Sequence, residues 1–395
     1  MDAEKPEKQC PAESVQENIG NLTVRQAQRL RELLDEEQTY DIIIVGGGGS
    51  GLAAAVSAAE SGADVLLLEK QAELGGTTGI AVGSFTGAET SLQQSREIVD
   101  TVADHVIDAG KFAAPEIEAK NNADLRRYFL SHTAETFEWL RGMGLQFHGP
   151  SPEPPNRVAR MHNVVPGAKA YIATLQARFQ QLGGTILCAT PVVKLVKHEN
   201  SVTGVVVKEQ ERHRSIFAKA GVVLAAGDYA ASAELIKRFK GDEYAQIDGI
   251  NPRATGDGHL LAEQVGAQLL NMEVTYGPEL RFVPPGSRTF QQLLPTSGWT
   301  NRVLGKLLPL VPRFLLNRML KRLLVTWQHP EDSLFSSGAI LINTEGERFC
   351  DETSWPAREI AVARQPGKIC YMLLDERLIQ LYSAWPNFIS TAPEI

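Results

Sequence analysis

The sequence predicts an α/β fold in which a mainly parallel sheet with helices precedes a smaller α+β unit. Three observations support this prediction. Residues 41–70 contain two apolar runs separated by a glycine turn and an alanine-rich stretch. Residues 185–226 are rich in valine, alternate in part between apolar and polar positions, and end in a further apolar run. After Met272 prolines become frequent and regular periodicity is lost.

The 41–70 stretch predicts a strand, a helix and a second strand in that order. Residues 42–45 form an apolar β-branched run that is too short for a helix, which is typical of a buried parallel strand. Alanine-rich residues 52–61 form the predicted helix. Residues 64–68 form the second strand.

Glycines lie at the junction between the first strand and the helix. Gly46, Gly48 and Gly51 fit the spacing G-x-G-x-x-G, and Glu69 ends the second strand. The spacing allows a tight turn, close approach of a pyrophosphate to the backbone, and packing of helix on strand, while the acid accepts from ribose hydroxyls. The combination therefore predicts a dinucleotide site.

Composition excludes several function classes. The formal net charge of -8 argues against nucleic acid as a partner, because phosphate binding needs a basic surface. The polar N-terminus lacks the features of a signal peptide, so a cytoplasmic location is expected. The four cysteines lie far apart and give no sign of a metal site or of covalent haem.

The remaining pattern predicts further elements. Leu74–Ser91 is rich in small residues, which suits either close approach to a flat ligand or a flexible loop. Helices are predicted at 124–143 and 168–182, and a β-meander at 185–218. A proline-rich loop is predicted at 150–167; its Arg160 and His162 either meet substrate or have a structural role.

With these residues in place, the chain resembles the fumarate reductase and succinate dehydrogenase flavoprotein family, in the broad sense that includes the 3-ketosteroid dehydrogenases. The likeness is carried in family order by VGGGGSGLAAA with LLLEK, LGGTTGIAVG, AGVVLAAGDY, ATGDGHLLAEQVGA and GAILINTEGERFCDE. It covers about residues 39–375. It implies a Rossmann-like FAD-binding domain of the glutathione reductase type with an α+β capping domain.

The resemblance implies that FAD is bound non-covalently. Membrane-bound members tether FAD through a histidine after the acid, and residues 75–87 contain no histidine. The implied contacts are the pyrophosphate with Gly46, Gly48, Gly49, Ser50 and Gly51; the ribose with Glu69, next to Lys70; the flavin with Gly75, Gly76, Thr77 and Thr78; the adenine with the backbone of Val193; and the remaining walls with Ala226, Gly227 and Asp257.

The same resemblance implies hydride exchange between flavin N5 and a carbon–carbon bond next to a carbonyl. Arg358 is the candidate proton donor, although it lies farther from Arg348-Phe349 than the family's arginine does. Glu352 or Glu359 would relay the proton. The alternative is that Arg358 forms an ordinary ion pair.

Two further residues are candidates for catalysis. His329 precedes Pro330-Glu331, where the reductases have His-Pro-Thr, and it either contacts a substrate carbonyl or lies in a plain turn. Trp355 lies near the place of the ketosteroid enzymes' tyrosine. Because the reductases' Thr-Glu pair is missing, and because Trp355, Leu334 and Phe335 are expected to supply apolar surface, an apolar enone or steroid-like substrate is predicted over fumarate.

The expected organisation has three parts. Residues 1–38 form an N-terminal extension, 39–272 the FAD-binding domain and 273–395 the capping and substrate domain. The family's C-terminal FAD segment is missing from the sequence, so the chain is expected to be either a fragment or a degenerate member that cannot complete its flavin site. A flavin-binding protein without turnover is the alternative function. Residues 303–324 are expected to contact a lipid surface, to line an apolar substrate entrance or to pack as a cap helix on their own domain. The electron donor or acceptor is unknown.

Overall fold

The structure is a computed structural model that describes residues 38–282 and 329–382. Its strands are β1 (Thr39–Val45), β2 (Val65–Leu68), β3 (Ser84–Thr86), β4 (Gln146–Ser151), β5 (Met161–Val165), β6 (Thr185–Leu187), β7 (Val192–His198), β8 (Ser201–Glu209), β9 (Arg212–Leu224), β10 (Ile340–Ile342) and β11 (Tyr371–Leu373). The sequence-based predictions for residues 1–37 and for the 303–324 stretch lie outside the described residues.

Twelve α-helices lie within the described residues. They are α1 (Gly49–Glu60), α2 (Ser91–Gln94), α3 (Val102–Ala109), α4 (Pro115–Glu118), α5 (Ala123–Ser131), α6 (Thr133–Gly142), α7 (Lys169–Gln181), α8 (Ala233–Lys240), α9 (Asp257–Gln264), α10 (Asp332–Ser336), α11 (Ala357–Ala363) and α12 (Glu376–Tyr382). No helix among residues 38–282 and 329–382 is long and apolar enough to cross a bilayer.

The principal sheet has the strand order β6-β2-β1-β9-β8-β7. β1 runs parallel to both β2 and β9, and β2 runs parallel to β6. β1 is apolar on both faces because both are covered: Ile44 packs with helices α1 and α7, whereas Ile43 and Val45 pack with the apolar side chains of β7, β8 and α9. Ile43 and Ile44 are fully buried.

The long strand β9 joins two kinds of pairing. Its first half runs antiparallel to β8, and its second half runs parallel to β1. The predicted run at 221–226 is therefore the end of β9. The first strand of the predicted meander is also corrected, because β6 pairs in parallel with β2 and extends the nucleotide sheet.

Two predictions for residues 124–167 are wrong in part. The predicted helix 124–143 is two helices, since the backbone at His132 (φ −102°, ψ 3°) leaves the helical region. Part of the predicted loop at 150–167 is the strand β5, which pairs with β3 and β4 in a three-stranded sheet. Prolines lie on both sides of β5, and the segment between them remains free to pair.

Residues 329–382 form a small core of their own. β10 and β11 pair antiparallel, and the side chains of Leu334, Phe335 and Leu341 are buried between these strands and the helices α10–α12. Leu280 and Phe282 pack against this core, whereas Met272 packs with Tyr229 and α8. The division into domains at 272/273 stays a prediction.

Candidate functional site

A cavity of about 1040 Å³ opens at the carboxyl ends of β1, β2 and β9. In parallel sheets this edge is where ligands bind, because the turns that leave the strands meet there. The cavity is lined by segments that are distant in the sequence: 45–50, 68–80, 190–192, 223–228 and 250–257, together with Leu261 and one face of α7.

The first glycine turn fits a ligand of this cavity. A Cβ at Gly46 would lie 2.3 Å from the oxygen of Ala225, and one at Gly51 would lie 1.9 Å from the oxygen of Gly46, so both glycines are required by packing. A Cβ at Gly48 would find no protein atom closer than 3.9 Å. The space in front of Gly48 belongs to the cavity, as a pyrophosphate at the start of α1 requires.

Glu69 holds this turn in shape. Its side chain is 8% exposed; Oε2 accepts from the Gly47 amide at 2.7 Å and Oε1 from the Gln71 amide at 2.8 Å. Each carboxylate oxygen keeps a second lone pair for a ribose hydroxyl. The predicted acid therefore borders the cavity and also fixes the glycine turn.

The second small-residue segment pairs with the first turn. The Gly75 amide donates to the oxygen of Gly47 at 3.0 Å, and the Gly49 amide donates to Thr78 Oγ1 at 3.2 Å. Asn251 Nδ2 donates to Thr77 Oγ1 at 3.0 Å and ties this segment to a loop that the sequence analysis did not single out. No local sequence pattern marks Asn251, because its partner Thr77 lies far away in the sequence.

Lys70 and Asp257 meet across the cavity wall. Lys70 Nζ lies 2.8 Å from Asp257 Oδ2 and 2.6 Å from Thr255 Oγ1, and the Thr255 hydroxyl donates to Asp257 Oδ1 at 2.7 Å. Burial opposes ionisation of Asp257, but the hydrogen bonds from Lys70 and Thr255 hold its pKa below the ordinary value. Both residues line the cavity.

The other predicted cofactor residues divide into two groups. Gly49, Ser50, Gly76, Ala226 and Gly227 also line the cavity, whereas Gly51 does not line it and packs against the backbone of Gly46. Val193 does not line it; its side chain is 40% exposed, and Thr190 and Val192 form the wall at this point. Alternation along β7 explains the offset, because adjacent strand residues point to opposite faces.

Arg358 lies in the core of the second unit. Its side chain is 3% exposed, donates to Glu359 Oε1 at 2.9 Å and to Asp332 Oδ1 at 2.9 Å, and stacks on the ring of Phe335. Burial raises the pKa of Glu359 despite this contact. Arg358 does not line the cavity.

His329 and Trp355 border one short segment. Trp355 Nε1 donates to the oxygen of Pro278 at 3.0 Å, and His329 Nε2 lies 3.5 Å from Glu279 Oε1. Leu334 and Phe335 are buried in the core of this unit, so the prediction that they supply apolar surface at the site is wrong.

Arg160 and His162 have structural partners. Arg160 is fully buried, with Nε 2.6 Å from Asp100 Oδ2 and Nη1 2.6 Å from Asp108 Oδ2. His162 lies 2.9 Å from Thr90 Oγ1 and packs on the ring of Phe137. Neither residue lines the cavity, and Glu352 is likewise occupied by Arg348 and the Leu341 amide.

The strand, glycine turn, helix and acid, with a cavity at the carboxyl edge of a parallel sheet, define a dinucleotide-binding domain. The chain belongs to the FAD binding domain family, whose model matches residues 41–292. The α/β fold class and the family predicted from the sequence are thereby confirmed, with FAD as the cofactor of that family.

The chain is similar to several reductases. It is 25% identical to a probable fumarate reductase of Shewanella frigidimarina over 82% of this chain and 48% of that protein. It is 28% identical to a vinyl phenol reductase of Lactiplantibacillus plantarum over 60% of this chain and 47% of that protein. The chain thus spans about half the length of these relatives.

Solved structures share the fold. A flavocytochrome c3 fumarate reductase in its open conformation matches with a TM-score of 0.67 at 23% identity, over 91% of this chain and 57% of that one. The 3-ketosteroid-delta4-(5alpha)-dehydrogenase of Rhodococcus jostii RHA1 matches with a TM-score of 0.59 at 20% identity, over 89% of this chain and 69% of that one.

Proposed function

We propose that this chain is an FAD-dependent oxidoreductase that transfers hydride between flavin N5 and a carbon–carbon bond α,β to a carbonyl group. The observation that carries the proposal is the cavity with its two paired glycine turns and Glu69. When bound, FAD supplies the hydride acceptor or donor. The names of the relatives, fumarate reductase and vinyl phenol reductase, support reduction of a carbon–carbon double bond.

We also propose that FAD is held without a covalent bond. Of the described residues that line the cavity, none is a histidine, cysteine or tyrosine, the side chains suited to a covalent flavin link. Glu69 accepts the ribose hydroxyls, and the backbone of residues 46–50 receives the pyrophosphate. Acid precipitation should release all the yellow colour into the supernatant; colour retained in the pellet would contradict this part of the proposal.

Arg358 is the proposed proton donor to the carbon next to the hydride acceptor, with Glu359 as relay. Their contact and the raised pKa of Glu359 support a proton path between them. The role requires residues 329–382 to cover the cavity, and His329 and Trp355 are proposed to contact substrate there. A cover of this kind excludes water while hydride moves.

The proposed substrate is an apolar cyclic enone or a steroid-like molecule. Two carboxylates of a fumarate would need fixed partners out of water. Arg358, a cation that could bind a substrate carboxylate, is already engaged by Glu359 and Asp332. Trp355, which is 54% exposed, offers apolar surface. A similar protein named digoxin reductase, from Eggerthella lenta, supports a bulky substrate.

The test is anaerobic bleaching of the FAD-loaded protein by an artificial electron donor. Reoxidation is then followed with cyclic enones, steroid enones, vinyl phenols and unsaturated acids. Rapid reoxidation by enones is expected. Faster reoxidation by fumarate would overturn the choice of substrate, and no reoxidation by any acceptor would favour the second candidate, a flavin-binding protein without turnover. A cytoplasmic location stays a prediction.

A further inference from the structure

The charged side chains around the cavity nearly balance, with a small excess of negative charge. Of the described residues that line it, four are carboxylates and three are cations: Glu69, Glu73, Asp228, Asp257, Lys70, Lys169 and Arg253. The pyrophosphate of FAD adds further negative charge. A carboxylate on the wall that neither accepts a ribose hydroxyl nor is paired with a cation is therefore expected to weaken cofactor binding through like-charge repulsion.

Asp257 is compensated by a closed set of hydrogen bonds. Lys70 Nζ donates to Asp257 Oδ2 and to Thr255 Oγ1, and Thr255 donates to Asp257 Oδ1, at 2.6–2.8 Å in each case. The set joins the end of β2 to the first turn of α9. Both side chains of the ion pair are partly buried, so solvent screens their charges less than on an open surface.

We propose that Lys70 and Asp257 act on FAD as one neutral clasp, in which the task of Lys70 is to cancel the charge of Asp257. Lys70 is then a positioning residue. The clasp presents almost no net charge to the pyrophosphate. This inference rests on the proposed non-covalent FAD site.

The clasp predicts a different pattern of changes in FAD affinity from the one expected if Lys70 and Asp257 each bound FAD independently. If each side chain contacted FAD separately, removing either would weaken binding, and removing both would weaken it most. In the clasp, Lys70→Met leaves Asp257 uncompensated and repels the cofactor. Asp257→Asn instead leaves Lys70 as a free cation beside the pyrophosphate. The double variant removes both charges and restores neutrality.

The experiment is a double-mutant cycle on the dissociation constant of FAD, measured by flavin fluorescence with apoprotein. We expect Lys70→Met to weaken binding about tenfold or more, Asp257→Asn to leave it unchanged or tighten it, and the double variant to lie within about threefold of wild type. At 1 M salt the Lys70→Met effect should shrink, because the Debye length falls to about 3 Å. Lys70→Arg, which keeps the charge, should restore most of the affinity.

A matched control is the exposed pair Lys237 and Asp242, whose charged atoms lie 2.7 Å apart away from the cavity. Its Lys→Met, Asp→Asn and double variants should leave FAD affinity unchanged. Weaker binding in Asp257→Asn, with additive loss in the double variant, would overturn the clasp while leaving the proposed function intact. If Lys70→Met fails to fold, Asp257→Asn alone tests the clasp: unchanged or tighter FAD binding supports it, and weaker binding contradicts it. Wild-type protein that does not bind FAD would overturn both.

Discussion

Charged side chains lie in two different settings in this chain. Around the cavity, Glu69 and Asp257 are held by backbone amides or a neighbouring lysine and still border open space. In the unit of residues 329–382, Arg358 is enclosed by Glu359, Asp332 and the ring of Phe335. The first setting leaves lone pairs for a ligand. The second uses its hydrogen bonds to hold a core together.

The two settings predict different effects of mutation, one on cofactor binding and the other on stability. A change at a residue that borders the cavity is expected to alter cofactor binding and to leave the fold intact, whereas a change at Arg358 is expected to destabilise its unit and to leave cofactor binding intact. A charged residue in a motif-like position is therefore expected to contact the cofactor only when open space lies beside it. Variants on both sides test this contrast.

The largest effect is expected inside the glycine turn itself. Gly51→Ala places a Cβ 1.9 Å from a backbone oxygen that cannot move aside, so it should lower the free energy of unfolding by more than about 4 kcal/mol. Gly48→Ala meets open space and has an ordinary φ of −79°, so stability should change by less than about 1 kcal/mol. FAD affinity in Gly48→Ala should nevertheless fall about tenfold, since the cofactor needs that space.

Urea unfolding and FAD titration measure the two quantities separately. Gly51→Ala and Gly48→Ala serve as controls for each other, because both substitutions add the same methyl group to one turn. A stable Gly51→Ala protein, or undiminished FAD binding by Gly48→Ala, would contradict the assignment of the two glycines.

The next effect concerns the second unit. Arg358→Met leaves Glu359 buried without its partner and should destabilise that unit by about 3 kcal/mol. Turnover should fall about 100-fold or more, as expected for loss of a proton donor, while bound FAD stays constant. Hydrogen exchange at residues 340–342 and the flavin absorbance report on the two regions.

Arg377→Met is the control, since its guanidinium is exposed and only 3.9 Å from Asp375. It should cost less than about 1 kcal/mol. If Arg358→Met loses FAD while the amides of residues 340–342 stay protected from hydrogen exchange, the expected contrast between the two regions is wrong.

A smaller, pH-dependent effect is expected at His105, which is 4% exposed near Arg160, Asp100 and Asp108. Burial, with help from Arg160, lowers the pKa of His105 from 6.5 to about 4. The unfolded chain takes up the proton first, so this residue's contribution to stability is present above pH 6.5 and is lost as the pH falls toward 4. From pH 7 to pH 5 the loss is about 2 kcal/mol.

Comparison with His105→Gln isolates this contribution. Glu153 and Glu359 have raised pKa values and act with the opposite sign, but they are present in both proteins and cancel in the difference. The variant should lose less stability between pH 7 and pH 5 than wild type, and His213→Gln, at an exposed position, should match wild type. Identical pH profiles for all three proteins would exclude His105.

The smallest effect is expected between the two regions. Lys368 Nζ lies 2.6 Å from Asp248 Oδ1, and both side chains are well exposed. Lys368→Met should change the unfolding free energy by less than about 1 kcal/mol and leave FAD affinity unaltered. A large loss of FAD would show that this surface pair, and not the cavity wall, controls cofactor binding.

The sequence was sufficient wherever local pattern and long-range structure agree. Residues 41–70 form strand, turn, helix and strand because apolar runs, glycines and the closing acid all require the same unit. Asn251 could not be found in this way, since its role depends on Thr77, far away in the sequence. The offset at Val193 could not be found in this way either, because only the structure shows that Val192, and not Val193, lines the cavity.

The partners of Arg358 in its ion pairs could also not be predicted from the sequence pattern. Their partner Asp332 lies in the short helix α10, and no periodic pattern relates the two positions. The proline-flanked strand β5 was missed because its pairing partners, β3 and β4, come from separate segments. Turn chemistry is local, whereas pairing and burial are set by the whole chain.

The position of β9 has a consequence for biosynthesis. β1 obtains its second neighbour only when β9 is available, since Val45 pairs with Leu224. At about 5 to 20 residues per second, the ribosome needs on the order of 10 to 40 s to add the roughly 180 residues between them. During that interval β1 carries an open, apolar edge of the kind that associates with other chains. The nascent polypeptide is therefore a natural client for chaperones that bind extended apolar segments.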